Sequence, residues 1–108
     1  MSYPSMSSKI YGLIGLCQKA GQVVSGEQSC EIAIKKEQVF LLIVATDASA
    51  NTRKLFKNRC SYRKIPLVEF GTKETLGNAI GKVKRASIGI VDENLANKIA
   101  LLIEQSKQ

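Results

Sequence analysis

Covalent chemistry in this sequence would fall to Cys17, Cys30 and Cys60. A thiol nucleophile is ordinarily activated by a neighbouring base, most often histidine. The sequence has no His, so it also lacks the usual proton carrier near neutral pH and the commonest metal ligand. A lysine could stand in as base only if strongly desolvated. Cys17 falls on an apolar helical stripe with Ile10, Leu13 and Ile14, which places it in the core. The three cysteines are odd in number, widely spaced and free of any CxxC pair. They read as reduced cysteines of a cytoplasmic protein, not a disulfide framework. Asp47 and Glu69 could pair at strand ends, but Asp47 is better explained as a turn or cap residue. The glycines form neither GxGxxG nor a Walker loop. Gly12 and Gly15, inside the first helix, are read as close-packing positions. No catalytic residues, metal site or cofactor are expected. A small enzyme using Cys17 or Cys30 is the least supported alternative.

Two short clusters suit binding instead. Gly26, Glu27, Gln28 and Ser29 stand at the mouth of a helix, where unpaired backbone N–H groups and a partial positive charge can hold a phosphate or a nucleotide edge. The same segment could be a plain N-cap made by Ser25 or a neighbour. Lys82, Lys84 and Arg85 lie in "GKVKR", a loop able to clamp a phosphate backbone. Lys35 and Lys36 form a further basic group. Arg53, Lys54, Lys57, Arg59, Arg63 and Lys64 fall in one stretch without an acid. Helical spacing puts Arg53 and Lys57 on one face, and a solvated face accounts for this stretch. The 16 Lys and Arg outweigh nine acids, giving a net charge of +7. A small domain so charged implies a polyanion partner, RNA or DNA before an anionic membrane. Three Tyr, three Phe and no Trp favour readout by hydrogen bonds and charge over base stacking.

The 108 residues imply one domain, 1–108, with no room for a separate catalytic unit. Residues 1–8 carry no secretory signal, and the longest apolar run, 39–45, is too short to cross a bilayer. Helices are expected over 7–20, capped by Ser7 or Ser8, then over 27–36, from 50–52 to 59, over 73–80, and from 93, capped by Asp92, to about 105. Leu55 and Phe56 face inward on the third helix, and Leu95, Ile99, Leu102 and Ile103 on the last. Strands are expected over 22–24, 39–46, 65–70 and 86–91. Pro66 suits a strand beginning or an edge. Gly77 lies inside a helix, at a cost unless another backbone packs against it. Strands alternating with helices at this spacing imply an α/β protein. The short first strand can pair antiparallel, giving a mixed sheet.

The ordered pieces "KAG" (19–21), "SG" (25–26), "ATDAS" (45–49), "IP" (65–66) and "LGNAIG" (76–81) resemble the small ribosomal RNA-binding family of the L-seven-Ae type. Within it, the sequence is most similar to the bacterial branch encoded among genes for translation and transcription factors. The resemblance covers about residues 10–102. It implies a three-layer α/β/α sandwich with a four-stranded mixed sheet, and binding to kink-turn RNA, a sharply bent duplex with tandem G·A pairs. The family's binding motif, Gly-x-Asn-Glu-x-x-Lys, falls on Gly26, Gln28, Ser29 and Ile32. Gln28 keeps an amide, Ser29 replaces a carboxylate with a hydroxyl, and Ile32 replaces a cation. The second RNA-facing element is the loop 82–85, basic here where the family is more apolar. A monomer binding structured RNA, ribosomal RNA included, is thus expected, with the ribosome or translation proteins as further partners. Gln28 should point outward beside Lys84, leaving Cys30, Ala33 and Ile34 buried. The alternative from another class is a ribosome-associated interaction or assembly module.

Overall fold

The structure is a computed structural model that describes residues 5–107. Residues 1–4, part of the segment read above for a leader, lie outside them. The elements run α1 (Met6–Lys19), β1 (Val23–Ser25), α2 (Glu27–Lys35), β2 (Leu41–Val44), α3 (Ala50–Arg63), β3 (Leu67–Glu69), α4 (Lys73–Ala79), β4 (Ser87–Ile90) and α5 (Glu93–Ser106). The sheet order is β1-β4-β2-β3. β2 and β3 are parallel, while β4 runs antiparallel to both β1 and β2. The sheet is therefore mixed, with α2 and α3 packed together on one side and α1 with α5 on the other.

The centre of the sheet is apolar because β2 is covered on both faces. Leu41, Leu42, Ile43 and Val44 are all buried, as a short continuous apolar run requires. α1 contributes Ile10, Ile14 and Cys17, α2 Cys30, Ala33 and Ile34, α3 Phe56 and Cys60, and α5 Ala96, Ile99 and Ile103. Leu55, Leu95 and Leu102 are half-buried at the margins. β3 is an edge strand, and Pro66 precedes it, where a missing N–H costs no ladder bond.

Several boundaries differ from the sequence reading. α1 is capped by Ser5, whose Oγ accepts from the Ser8 N–H at 3.1 Å, not by Ser7 or Ser8. α3 continues one turn past Arg59 and ends at Lys64, which adopts the left-handed conformation. The long apolar run 39–46 pairs only over 41–44. A Cβ on Gly15 would lie 3.1 Å from the Ala79 carbonyl oxygen, so packing explains that glycine, whereas nothing stands within 4 Å at Gly12. Asp92 caps α5 as expected, accepting from the Leu95 N–H at 2.9 Å.

All three cysteines are buried free thiols. Burial pushes Cys30 and Cys60 up to about 11, and raises Cys17 as well. The thiolate is the reactive form, so a thiol reagent at neutral pH is expected to label them only as fast as the fold opens. Labelling of folded protein at the rate of free cysteine would contradict the packing. The raised values also set a pH dependence. The stabilisation is complete below the ordinary thiol range near 9 and is lost as pH rises toward about 11, because the unfolded chain ionises first. Denaturant melts across that window would record the loss.

Candidate nucleic-acid interface

The antiparallel registers bring the ends of β1 and β2 to the same pole as the start of β4. α2, α3 and α4 all begin there. Their starts are tied together by short polar contacts. Asp47, just past β2, accepts from the Lys73 N–H of α4 at 2.8 Å. Thr52 of α3 donates its hydroxyl to Glu27 of α2 at 3.1 Å. Asp47 is thus a cap, but for a helix far along the chain.

Gly26 is the N-cap of α2, at φ 91° and ψ 157°, and no side chain caps the helix. A glycine tolerates that positive φ where a Cβ would strain it. The capping role considered for Ser25 is not realised. Its hydroxyl accepts instead from Arg85 Nε at 3.2 Å. The first-turn N–H groups of α2 are therefore left without a side-chain partner, and nothing stands within 4 Å of where a Gly26 Cβ would project. Gln28 and Ser29 are exposed beside them, while Cys30, Ala33 and Ile34 turn inward.

The basic loop 81–86 is held against this start. The Gly26 N–H donates to the Ser87 carbonyl at 3.1 Å, and Arg85 N–H to the Lys73 carbonyl at 2.9 Å. Gly77 makes the loop possible: a Cβ there would overlap the Val83 carbonyl oxygen. The cost of a glycine inside a helix is offset by this backbone contact. Lys82, Val83 and Lys84 project into solvent, with Val83 80% exposed. Arg85 is only half-exposed. Besides Ser25 it donates from Nη1 to the Lys84 carbonyl at 2.9 Å, so it shapes the loop as well as charging it.

The other sequence candidates are distributed differently. Glu27 is exposed at the pole but engaged with Thr52. Lys35 and Lys36 lie at the far end of α2, about 10–12 Å from Gln28 along the helix. They are not brought to this pole. Between the two ends stands Ile32, 47% exposed and four residues from both Gln28 and Lys36. In the basic stretch of α3, Arg53 pairs with Glu69 at 3.2 Å and Arg59 with Glu31 at 3.1 Å. Lys54 and Lys57 remain solvated, as read from the sequence. Sequence reasoning missed Val83 as an exposed apolar group and the Ser25–Arg85 contact. Only the position of Val83 among three cations signalled the first, and nothing local signalled the second.

Among the described residues, no group of His, Cys, Asp and Glu is placed to hold a metal ion. No described helix is long and apolar enough to cross a membrane.

Comparisons with known proteins place the fold and the family. The RNA-binding protein YlxQ of Enterococcus faecium is 38% identical over 96 residues, covering 89% of this chain and 92% of its own. YlxQ of Bacillus subtilis strain 168 is 34% identical over 94 residues, covering 87% and 94% respectively. A solved structure from Bacillus halodurans C, described as a protein of unknown function, superposes with a TM-score of 0.87 at 36% identity, covering 89% of this chain and 97% of that one. Residues 8–101 match a single family description over most of the α/β/α sandwich. The chain belongs to the ribosomal protein L7Ae/L30e/S12e/Gadd45 family.

Proposed function

We propose that this protein binds structured RNA without catalysis, in the cytoplasm and as a monomer, and that it prefers a kink turn such as those of ribosomal RNA. The observation that carries the reading is the joining of two RNA-suited elements on one surface. The start of α2 and the basic loop 81–86 are brought side by side where β1 pairs with β4: the Gly26 N–H donates to Ser87, the first residue of β4, and Arg85 of the loop donates to Ser25, the last residue of β1. Open backbone donors and short polar side chains can meet base edges or a phosphate. Lys82 and Lys84 can neutralise the flanking backbone, a contribution that weakens with salt. Two YlxQ relatives carry the description "RNA-binding protein", which supports the class of partner.

The test is a titration against a kink-turn RNA and an unbent duplex of equal length, at two salt concentrations. Tighter binding to the kink turn is expected. Equal weak binding to both removes the kink-turn reading, and no binding to either at low salt removes RNA altogether.

Ile32 offers a gain-of-function check. It stands where the family motif calls for lysine, and its side chain is half in solvent, so a lysine fits without repacking. Ile32→Lys is expected to tighten kink-turn binding and to steepen the dependence of log K on log salt by about 0.9, one further phosphate contact. An unchanged slope would mean that the RNA does not reach the middle of α2.

A further inference from the structure

The opposite pole carries a groove of about 770 Å³. It lies between the chain leaving α2 and the end of α3. Phe40, Ile65 and Pro66 supply apolar lining, and Tyr62, Arg63 and Lys64 the rest of one wall. Phe40 is 40% exposed and Tyr62 82%. No other described aromatic is exposed: Tyr11 and Phe70 pack on each other, their ring centroids 5.0 Å apart, and Phe56 is buried. Aromatic residues are scarce in this chain, yet the two exposed among the described residues line the same groove. The Arg63 guanidinium lies over the Tyr62 ring at 5.4 Å.

The charge there is one-sided. Lys35 and Lys36 end α2 just before the groove, and Arg63 and Lys64 end α3 beside it. None of these four cations has a carboxylate partner among the described residues. Glu37 is the single acid in the lining. Exposed aromatic faces flanked by unpaired cations are what an unpaired nucleotide chain uses: bases stack on the rings and phosphates meet the charges.

We propose that this groove binds single-stranded RNA, as a second site at the pole opposite the α2 start. The groove stands on its own residues and does not depend on the kink-turn reading. It also gives Lys35 and Lys36, remote from the other pole, a common ligand with Arg63 and Lys64. An acidic peptide would satisfy the cations but leave the exposed Phe40 ring and the Tyr62 face turned away from Arg63 without planar partners, which favours RNA.

The probe is a short unpaired oligouridylate, titrated at low salt by anisotropy into the full chain, with a short oligoglutamate as competitor. Wild type is expected to bind the oligouridylate. Tyr62→Ala should weaken it roughly five- to 150-fold, the range of one lost stacking contact, and Tyr62→Phe should retain it. Lys64→Gln should lower the salt slope by about 0.7. Kink-turn duplex lacking unpaired extensions should bind Tyr62→Ala as it binds wild type, and Lys84→Ala should leave oligouridylate binding unchanged. Tyr62 is a surface residue, and a thermal melt of each variant confirms folding. Absence of oligouridylate binding, indifference to Tyr62→Ala, or oligoglutamate binding more tightly than the oligonucleotide would overturn the assignment, whatever the kink-turn titration gives.

Discussion

Gly77→Ala is expected to lower the melting temperature by about 10 °C and to abolish tight RNA binding with it. Intrinsic helix propensity points the other way, since alanine is favoured over glycine by about 1 kcal/mol in a helix interior. Packing decides the sign. The alanine Cβ would overlap the Val83 carbonyl, and the Lys82 carbonyl oxygen would lie 3.1 Å away. Both are backbone atoms and cannot move aside by a rotamer change. Either α4 shifts or the loop 81–86 lifts off it. Overpacking of this kind costs about 1–3 kcal/mol, and each kcal/mol is worth about 4–8 °C in a domain near this size. Lifting the loop would also strain the Lys82 N–H bond to the Gly77 carbonyl at 2.9 Å and the Arg85 contact with Ser25. Gly12→Ala is the internal control, because it sits on the exposed face of α1 with nothing within 4 Å. It should melt at or slightly above wild type. If Gly77→Ala melted with the control, the loop would not be seated through that glycine.

The periodic elements were legible in the sequence because each buries one stripe or one short run. Ile10, Ile14 and Cys17 mark α1, and the unbroken apolar segment around 41–44 marks a strand covered on both faces. Ends were less legible. In the stretch after Arg59 only Cys60 turns inward, one helical turn beyond Phe56, and the exposed or half-buried Ser61, Tyr62 and Arg63 that follow add no apolar position, so a single small residue was the whole signal for the last turn of α3. Ser5, Ser7 and Ser8 are chemically equal caps, so residue type alone does not choose among them; Ser5 is the one with extended backbone and a hydroxyl that accepts from the Ser8 N–H. At the candidate interface, the cluster Gly26 to Ser29 and the loop cations were recognisable by residue type. Their meeting was not. It depends on β1 and β4 pairing with Ser25 opposite Ile88, a register set across some sixty residues of chain. Gly77 is intermediate: a glycine inside a helix announced that something packs there, but not that the partner was the basic loop. The groove at the other pole was hidden because Phe40 and Tyr62 are far apart in sequence and neither belongs to a motif.

Exchanging Gln28 for alanine should cost selectivity, and exchanging Lys84 should cost affinity. Gln28 is exposed on the first turn of α2, so its amide projects from a fixed backbone position beside N–H groups that no side chain caps. A paired contact of an amide with a base edge discriminates by about 1–3 kcal/mol. Gln28→Ala is thus expected to narrow the preference for a kink turn over plain duplex by roughly five- to 150-fold. Lys84 is a long, exposed cation on a loop, suited to a phosphate and blind to sequence. Lys84→Ala should weaken both RNAs alike and reduce the salt slope by about 0.9. Arg85 separates the two roles within one side chain. Its Nε holds Ser25 at 3.2 Å and its Nη1 the Lys84 carbonyl, so its removal frees the loop as well as deleting a charge. Arg85→Ala should therefore lose more affinity than Lys84→Ala and also some selectivity, while Arg85→Lys, which keeps charge without the fork, should restore the salt slope but not the selectivity. If Gln28→Ala left the preference intact while Lys84→Ala erased it, the loop would be reading the RNA and the start of α2 would serve only the fold.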